Sequence, residues 1–196
     1  MTIALLKNAA LLSLMLVPFG ALAQTPETAP STPAAAALES GLAGHWAGTL
    51  AYRDYQSDKM VSLPMRSNVV ALADGATIID IATFDDGPKR GDVIITTAYL
   101  FNTKAGTVEN IALERGRPID HYTDKAMVVS YTDPTHWIIV YQHEGTDGGK
   151  PALIRTSEVR DGEKIARQED VRAPDSTDKD WRLRNKTILT RSEPKL

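Results

Sequence analysis

From residue 44 onward the sequence is a succession of short alternating segments separated by turn signals. The strongest turn signals are two Asp-Gly pairs, Asp74-Gly75 and Asp161-Gly162. Such pairs favour the two-residue turns that join antiparallel strands. No stretch shows the 3.6-residue periodicity of a long amphipathic helix. The pattern therefore predicts an all-β domain, either a barrel or a sandwich.

Strands are predicted at nine segments, and a tenth segment, 120–131, is predicted to hold a pair of strands whose register the sequence does not define. The segments are 45–55, 60–72, 77–84, 92–101, 107–113, 120–131, 136–144, 151–160, 163–172 and 181–191. Segment 163–172 is also compatible with a helix, because Glu, Lys, Ala, Arg and Gln favour helix. Pro64 lacks an amide donor, which indicates a sheet edge or a bulge. Since an open sheet of this size would leave long unpaired edges, we predict a closed, antiparallel, up-and-down barrel of about 8–10 strands.

The first 23 residues have the features of a secretory signal peptide. Lys7 precedes an apolar run at 9–17, which is too short to span a bilayer, and Ala21-Leu22-Ala23 forms a small-x-small cleavage site. Cleavage there would leave Gln24 as the mature amino terminus. We therefore predict an exported protein, either periplasmic or secreted.

Residues 24–37 are rich in Pro, Ala, Thr and Ser and are predicted to be a disordered linker, because they offer little apolar surface to bury. The Ala-rich sequence at 33–42 favours a short helical turn that ends near Gly41 or Gly44. Residues 38–196 are then a single barrel domain, with no later segment long and apolar enough to form a transmembrane helix.

Composition excludes several classes of protein. The chain has 22 Lys and Arg against 25 Asp and Glu, a formal net charge of −3, so bulk charge does not favour binding to nucleic acid. The absence of Cys excludes disulfides, thiolate metal sites and covalently attached c-type haem. Because no pair of the four His has metal-ligand spacing, no metal site is predicted.

The opening Gly44-His45-Trp46 resembles the Gly-x-Trp strand that begins barrels of the calycin superfamily, which includes lipocalins and fatty-acid-binding proteins. The resemblance implies that Trp46 closes one end of the barrel, with Gly44 and Gly48 allowing close approach of the backbone. It also implies that an Arg on the last strand packs across this Trp, and Arg184 is preferred over Arg191. The haem-binding nitrobindin-like barrels open with a Tyr-Pro, whereas Tyr52 is followed by Arg53 here. We therefore predict no cofactor.

No catalytic motif is present, and Asp85-Asp86 before Gly-Pro is typical of a turn. The last three predicted strands carry many charged residues, among them Arg155, Glu158 and Arg167. These charges either line the interior, where they need partners or a polar ligand, or form a solvated outer face with cross-strand pairs.

The resemblance and the aromatic content lead to a functional hypothesis, the binding of a small amphipathic or hydrophobic molecule inside the barrel. In this hypothesis aromatic rings supply the walls and an Arg orients an anionic head group. The candidate ligand-binding residues are Tyr52, Asp54, Tyr99, Trp137, Tyr141, Arg155 and Arg167. Two alternatives stay open, a structural or interaction module with a side-chain-filled barrel and a calycin-type enzyme. The sequence predicts no oligomeric state.

Overall fold

The structure is a computed structural model that describes residues 32–194. The predicted signal peptide and residues 24–31 of the predicted linker lie outside the described residues. The described chain contains ten strands and two short helices. In order these are α1 (Ala35–Ser40), β1 (Gly44–Arg53), β2 (Met60–Ala71), β3 (Thr77–Asp85), α2 (Gly87–Arg90), β4 (Asp92–Asn102), β5 (Thr107–Glu114), β6 (Asp120–Asp133), β7 (His136–Asp147), β8 (Lys150–Asp161), β9 (Lys164–Arg172) and β10 (Arg182–Arg191). None of the helices in this part of the chain is long and apolar enough to cross a membrane.

The ten strands form one closed antiparallel barrel. Each strand pairs with its neighbours in the sequence, and β1 pairs with β10 to close the sheet. The predicted all-β, up-and-down barrel is confirmed, as is the short helix before its first strand. This helix begins at Ala35, so it takes up the last three residues of the segment predicted to be a linker.

Two expectations for single segments are wrong. Segment 120–131 does not hold a pair of strands, because it belongs to one continuous strand, β6, with register shifts near Val128 and Tyr131. The helical alternative for 163–172 is wrong, because β9 pairs along its length with β8 and β10. Pro64 lies in a strand with neighbours on both sides, but the pairing of β2 with β3 begins only at Met65. Its missing amide donor therefore costs no hydrogen bond to β3.

The end of the barrel at which β1 begins is filled by apolar side chains, and we call it the closed end. Residues alternate between the two faces of each strand, and the inward set at this end is almost entirely apolar. The segment around α1 covers it with Leu38 and Leu42. The buried side chains beneath are Trp46, Val69, Ile78, Val108, Trp137, Ile139, Ile165 and Leu189. The opposite end, formed by loops 54–59, 86–91, 115–119, 148–149 and 173–181, is the far end.

Trp46 connects the barrel to the α1 segment. Its Nε1 donates a hydrogen bond to the carbonyl of Leu42 at 2.8 Å. The guanidinium of Arg191 lies 4.3 Å from the centre of the indole ring and donates to the carbonyl of Ala43 at 3.0 Å. Arg160 donates to the carbonyl of Gly41 at 2.9 Å. The last carbonyls of this short helical segment are thereby satisfied by side chains of the barrel.

The arginine that stacks on Trp46 is Arg191, which corrects our preference for Arg184. Antiparallel pairing sets Trp46 opposite Arg191, so the start of β1 lies against the end of β10. Arg184 is near the start of β10, beside a register shift, and lies at the far end over the ring of Tyr55 at 3.8 Å.

Gly44 and Gly48 are required by close contacts around this closure. A Cβ at Gly48 would lie 1.9 Å from the carbonyl oxygen of Ile188 in β10. At Gly44 the backbone has φ +126°, and a Cβ would lie 2.7 Å from Nη1 of Arg191. Both positions therefore exclude any larger residue without displacing β10 or its arginine.

We expect Trp46→Ala to lower the free energy of unfolding by about 3–5 kcal/mol, because it leaves a large cavity and removes the contact to Leu42. Chemical denaturation followed by circular dichroism measures the loss. Trp181→Ala is the matched control, because Trp181 is only half-buried on the outside of the barrel. Equal losses in the two variants would contradict the role of Trp46 in closure.

Candidate functional site: a polar cavity inside the barrel

A cavity of about 190 Å³ lies in the middle of the barrel, between the apolar closed end and the far end. Its wall is predominantly polar. The lining residues are Glu39, Tyr99, Phe101, Asn110, Tyr122, Asp124, Tyr141, Thr156, Glu158, Arg167, Glu169, Asn185 and Thr187. Glu39, Asn110, Asp124 and Glu158 are buried, whereas Tyr122, Thr156, Glu169 and Asn185 are half-buried. Tyr122, Glu169 and Asn185 lie towards the far end, whereas Tyr99, Tyr141 and Arg167, which are also half-buried, lie in the middle of the barrel or nearer the closed end.

The strands differ in what they contribute to the interior. Strands β4 to β10 supply all the lining residues except Glu39, which comes from α1. Strands β1 to β3 fill their part of the interior largely with apolar side chains, such as Leu50, Met65 and Phe84. The cavity is therefore displaced towards the β4–β10 wall.

Arg167 is the central charged residue of the interior. Its Nε donates to Oε2 of Glu158 at 2.8 Å, and its Nη1 donates to Oδ2 of Asp80 at 3.1 Å. Burial alone would lower the pKa of Arg167, but the carboxylates of Glu158 and Asp80 outweigh it and hold that pKa well above its usual value. Ser67 donates a further hydrogen bond to Oδ1 of Asp80. The guanidinium thus bridges strands on opposite sides of the barrel.

Glu39 extends from α1 into the same interior. Its Oε1 accepts a hydrogen bond from the hydroxyl of Tyr141 at 2.6 Å. Burial, and then the neighbouring carboxylate of Glu158, raise the pKa of Glu39 to about 8, although Arg167 and Tyr141 act in the opposite direction. The same burial, followed by the charge of Glu39, raises the pKa of Tyr141 well above its ordinary value. Burial thus favours the protonated form of the Glu39 carboxyl.

A second polar group lies on β5, β6 and β7. Asp124 accepts hydrogen bonds from Nδ2 of Asn110 at 3.1 Å and contacts Nδ1 of His143 at 2.7 Å. The ring of Tyr122 stacks on His143 with 4.3 Å between centroids. Towards the far end, Glu169 accepts from Nδ2 of Asn185 at 2.9 Å, and burial raises the pKa of Glu169.

Three of the candidate ligand-binding residues line the cavity, namely Tyr99, Tyr141 and Arg167. Trp137 does not line it, because it belongs to the apolar closed end, where its Nε1 donates to the carbonyl of Pro134 at 3.2 Å. Tyr52 is half-buried on β1, outside the set of lining residues.

The remaining two candidates lie away from the cavity. Asp54 is in the turn after β1, where it accepts hydrogen bonds from the amide of Gln56 and the hydroxyl of Ser57. Arg155 is three residues before Glu158 on β8, so the two side chains lie on opposite faces of the strand and Arg155 faces outward. There it pairs with Asp170 at 3.2 Å and lies 4.2 Å from the ring of Trp181. Among the charged residues of the last three strands, Arg167 lines the interior whereas Arg155 lies on the outer face. Each of the two predicted arrangements therefore occurs.

Sequence reasoning missed most of the polar lining. Alternation along a strand could have identified two of these residues. Arg167 and Glu169 lie at every second position with the buried Ile165 and Val171, so they share the inward face of β9. The same alternation was visible for Asn110 beside Val108 on β5. For Glu39 no strand pattern was available, because it lies on a helix outside the sheet.

The arrangement is suited to hydrogen-bonded recognition of a small molecule. Tyr99 and Tyr122 line the cavity, and burial is the main cause that raises the pKa of each phenol. Both phenols are therefore neutral donors near neutral pH. Within residues 32–194, no group of three or more His, Asp and Glu side chains is placed to hold a metal ion.

We expect Arg167→Met to lower the free energy of unfolding by about 3–5 kcal/mol, because it leaves the buried carboxylates of Asp80 and Glu158 without a counter-charge. Arg66→Met is the matched control, and its loss should be about 1 kcal/mol or less, since its ion pair with Asp92 is solvent-exposed. Urea denaturation of the two variants tests this. Similar losses would show that the interior ion pairs have no special role in stability.

The raised pKa of Glu39 predicts a pH dependence of stability. Between its ordinary pKa of 4.5 and the folded value of about 8, the native state binds more protons than the unfolded state. Stability from this group is therefore complete below about pH 4.5 and falls as the pH rises to about 8. Glu39→Gln keeps the acceptor for Tyr141 but does not titrate. We expect thermal unfolding from pH 5 to 9 to show a smaller decline in Tm for the variant; parallel curves would contradict the prediction.

Comparison with known proteins supports the fold alone. No family model matches the sequence, and no curated protein matches it. Among solved structures, the chain is similar to that described as "Crystal Structure of Rv2717c from M. tuberculosis", with a TM-score of 0.55 and 14% sequence identity. The match covers 82% of this chain and 100% of the other. The chain thus has the barrel fold of that structure, while membership of the calycin superfamily stays a prediction.

Proposed function

We propose that this protein binds a small polar or amphipathic molecule in the cavity of its barrel. The observation that carries the proposal is the mid-barrel cavity of about 190 Å³, whose wall is predominantly polar. Buried polar surface is costly unless it is hydrogen-bonded, so a cavity of this kind is suited to a ligand that completes its hydrogen bonds.

The size of the cavity limits the ligand. Pockets for drug-sized molecules are about 300–1,000 Å³, so this cavity favours a smaller molecule. Its wall offers phenol, amide, hydroxyl and carboxyl groups, while aromatic carbon is supplied by Phe101 and the tyrosine rings. This composition favours a polar or amphipathic ligand over a purely hydrophobic one.

The anionic head group that we expected Arg155 or Arg167 to orient is not favoured by these contacts. Arg155 faces outward, and Arg167 already donates to two carboxylates. The cavity also counts against the alternative of a side-chain-filled barrel. We further propose that binding takes place outside the cytoplasm, because residues 1–23 have the features of a signal peptide.

A ligand screen tests this function. Residues 24–196 would be screened by thermal shift against small alcohols, amines, amides, carboxylates and sugars, and hits confirmed by calorimetry. We expect at least one class to raise Tm in a concentration-dependent way, because a ligand that binds only the native state stabilises it.

The matched variants are Tyr99→Phe, which removes the hydroxyl of a lining residue, and Tyr131→Phe, whose ring is half-buried at the closed end outside the set of lining residues. Binding should weaken in the first variant only. A screen without any hit, or hits that both variants bind equally well, would overturn the proposed site.

A further inference from the structure

Carboxyl groups outnumber bases around the cavity. The lining residues include one base, Arg167, and four acids, namely Glu39, Asp124, Glu158 and Glu169. A fifth acid, Asp80, binds the far side of Arg167. The next bases are His143, on Asp124, and Arg184, whose charge acts on Glu169 against the effect of burial. Even with His143 charged and Glu39 protonated, the interior carries a net negative charge.

One carboxylate oxygen in this set has no partner. The side chain of Glu158 is only 4% exposed, and its Oε2 is bound by Arg167. Its Oε1 is buried and has no hydrogen-bond partner. Among residues 32–194, three buried side-chain polar atoms are in this condition; the other two are Nε atoms of Arg155 and Arg172, which lie under Trp181 on the outer face. The acceptor without a partner thus belongs to a residue that lines the cavity.

We infer that the cavity recognises a protonated amine, with Glu158 and Glu169 as the carboxylates that receive it. The inference rests on the proposed function and specifies its ligand class. An ammonium group brings hydrogen-bond donors together with a positive charge, whereas an alcohol brings donors alone and a carboxylate adds to the negative charge.

Two arginines share one carboxylate at the far end, so this group makes the balance less negative by one charge without reversing it. Arg184 is held by Asp147 at 3.2 Å and by the carbonyl of Arg53, and Arg182 binds the same Asp147. These bases are therefore engaged at the rim. The phenols of Tyr99, Tyr122 and Tyr141 complete a wall suited to an ammonium group, since aromatic faces attract cations.

The raised pKa values of two lining carboxyl groups support the same inference. Burial raises the pKa of Glu39 to about 8 and raises that of Glu169. Both shifts mean that the interior resists further negative charge, which a bound cation would relieve. Amine binding at pH 7 should therefore release protons, and the heat of binding should depend on the ionisation enthalpy of the buffer.

A matched series of n-pentylamine, 1-pentanol and pentanoate tests the inference on residues 24–196 by calorimetry at pH 7. We expect n-pentylamine to bind at least about tenfold more tightly than 1-pentanol, which is the size of effect of one charge-assisted hydrogen bond, and pentanoate to bind most weakly. Glu158→Gln and Glu169→Gln should each weaken binding of the amine about tenfold and leave binding of the alcohol unchanged. Glu144→Gln, an exposed residue on the outer face of β7, is the control and should change neither.

The outcomes separate this inference from the proposed function. If 1-pentanol or pentanoate binds as tightly as the amine, the amine inference fails and the binding function stands. If none of the three binds but the wider screen gives hits in the cavity, the amine inference again fails alone. If Glu158→Gln does not fold, the amine affinity of Glu169→Gln is the test, because Glu169 is only half-buried. Unchanged amine affinity in that variant overturns the inference.

Discussion

The interior of this barrel depends on one buried guanidinium. Arg167 on β9 contacts Glu158 on the adjacent β8 and Asp80 on β3, which lies across the barrel. A charge in such a place is unfavourable unless it is paired on all sides, and the two carboxylates require it as much as it requires them. Because these charged groups meet in the middle of the barrel, apolar side chains cannot fill the interior there. The cavity beside them follows from this ion-pair cluster.

The apolar closed end and the polar middle of the barrel therefore have different roles. At the closed end, Trp46 and its apolar neighbours pack densely beneath the α1 segment and supply the hydrophobic burial that a chain without disulfides needs. In the middle, polar groups take the inward positions and packing gives way to hydrogen bonds. Glu39 connects these two regions, since it lies on α1 but reaches Tyr141. The helix that covers the hydrophobic end thus also forms part of the polar wall.

The fold was largely predictable because its signals are local. Turn residues and alternation mark strands one at a time, and the ten predicted segments correspond to β1 through β10. The site was less predictable because it depends on which face of each strand turns inward and on where strands meet. Arg184 and Arg191 are equivalent in sequence pattern, and only the register of β10 against β1 assigns Arg191 to Trp46. Arg155 and Arg167 likewise have similar sequence surroundings, and only the alternation of strand faces assigns Arg155 to the outside and Arg167 to the interior.

The pairing of β1 with β10 joins strands from opposite ends of the described chain. Loop closure over so long a separation carries a large entropic cost, and barrels rich in such contacts fold slowly. Until β10 is in place, β1 has a free edge and the inward carboxyl groups remain in contact with water. Closure of the barrel and desolvation of its charges are therefore coupled. We expect the ion pairs of Arg167 to acquire their full strength only then, so that they slow unfolding more than they speed folding.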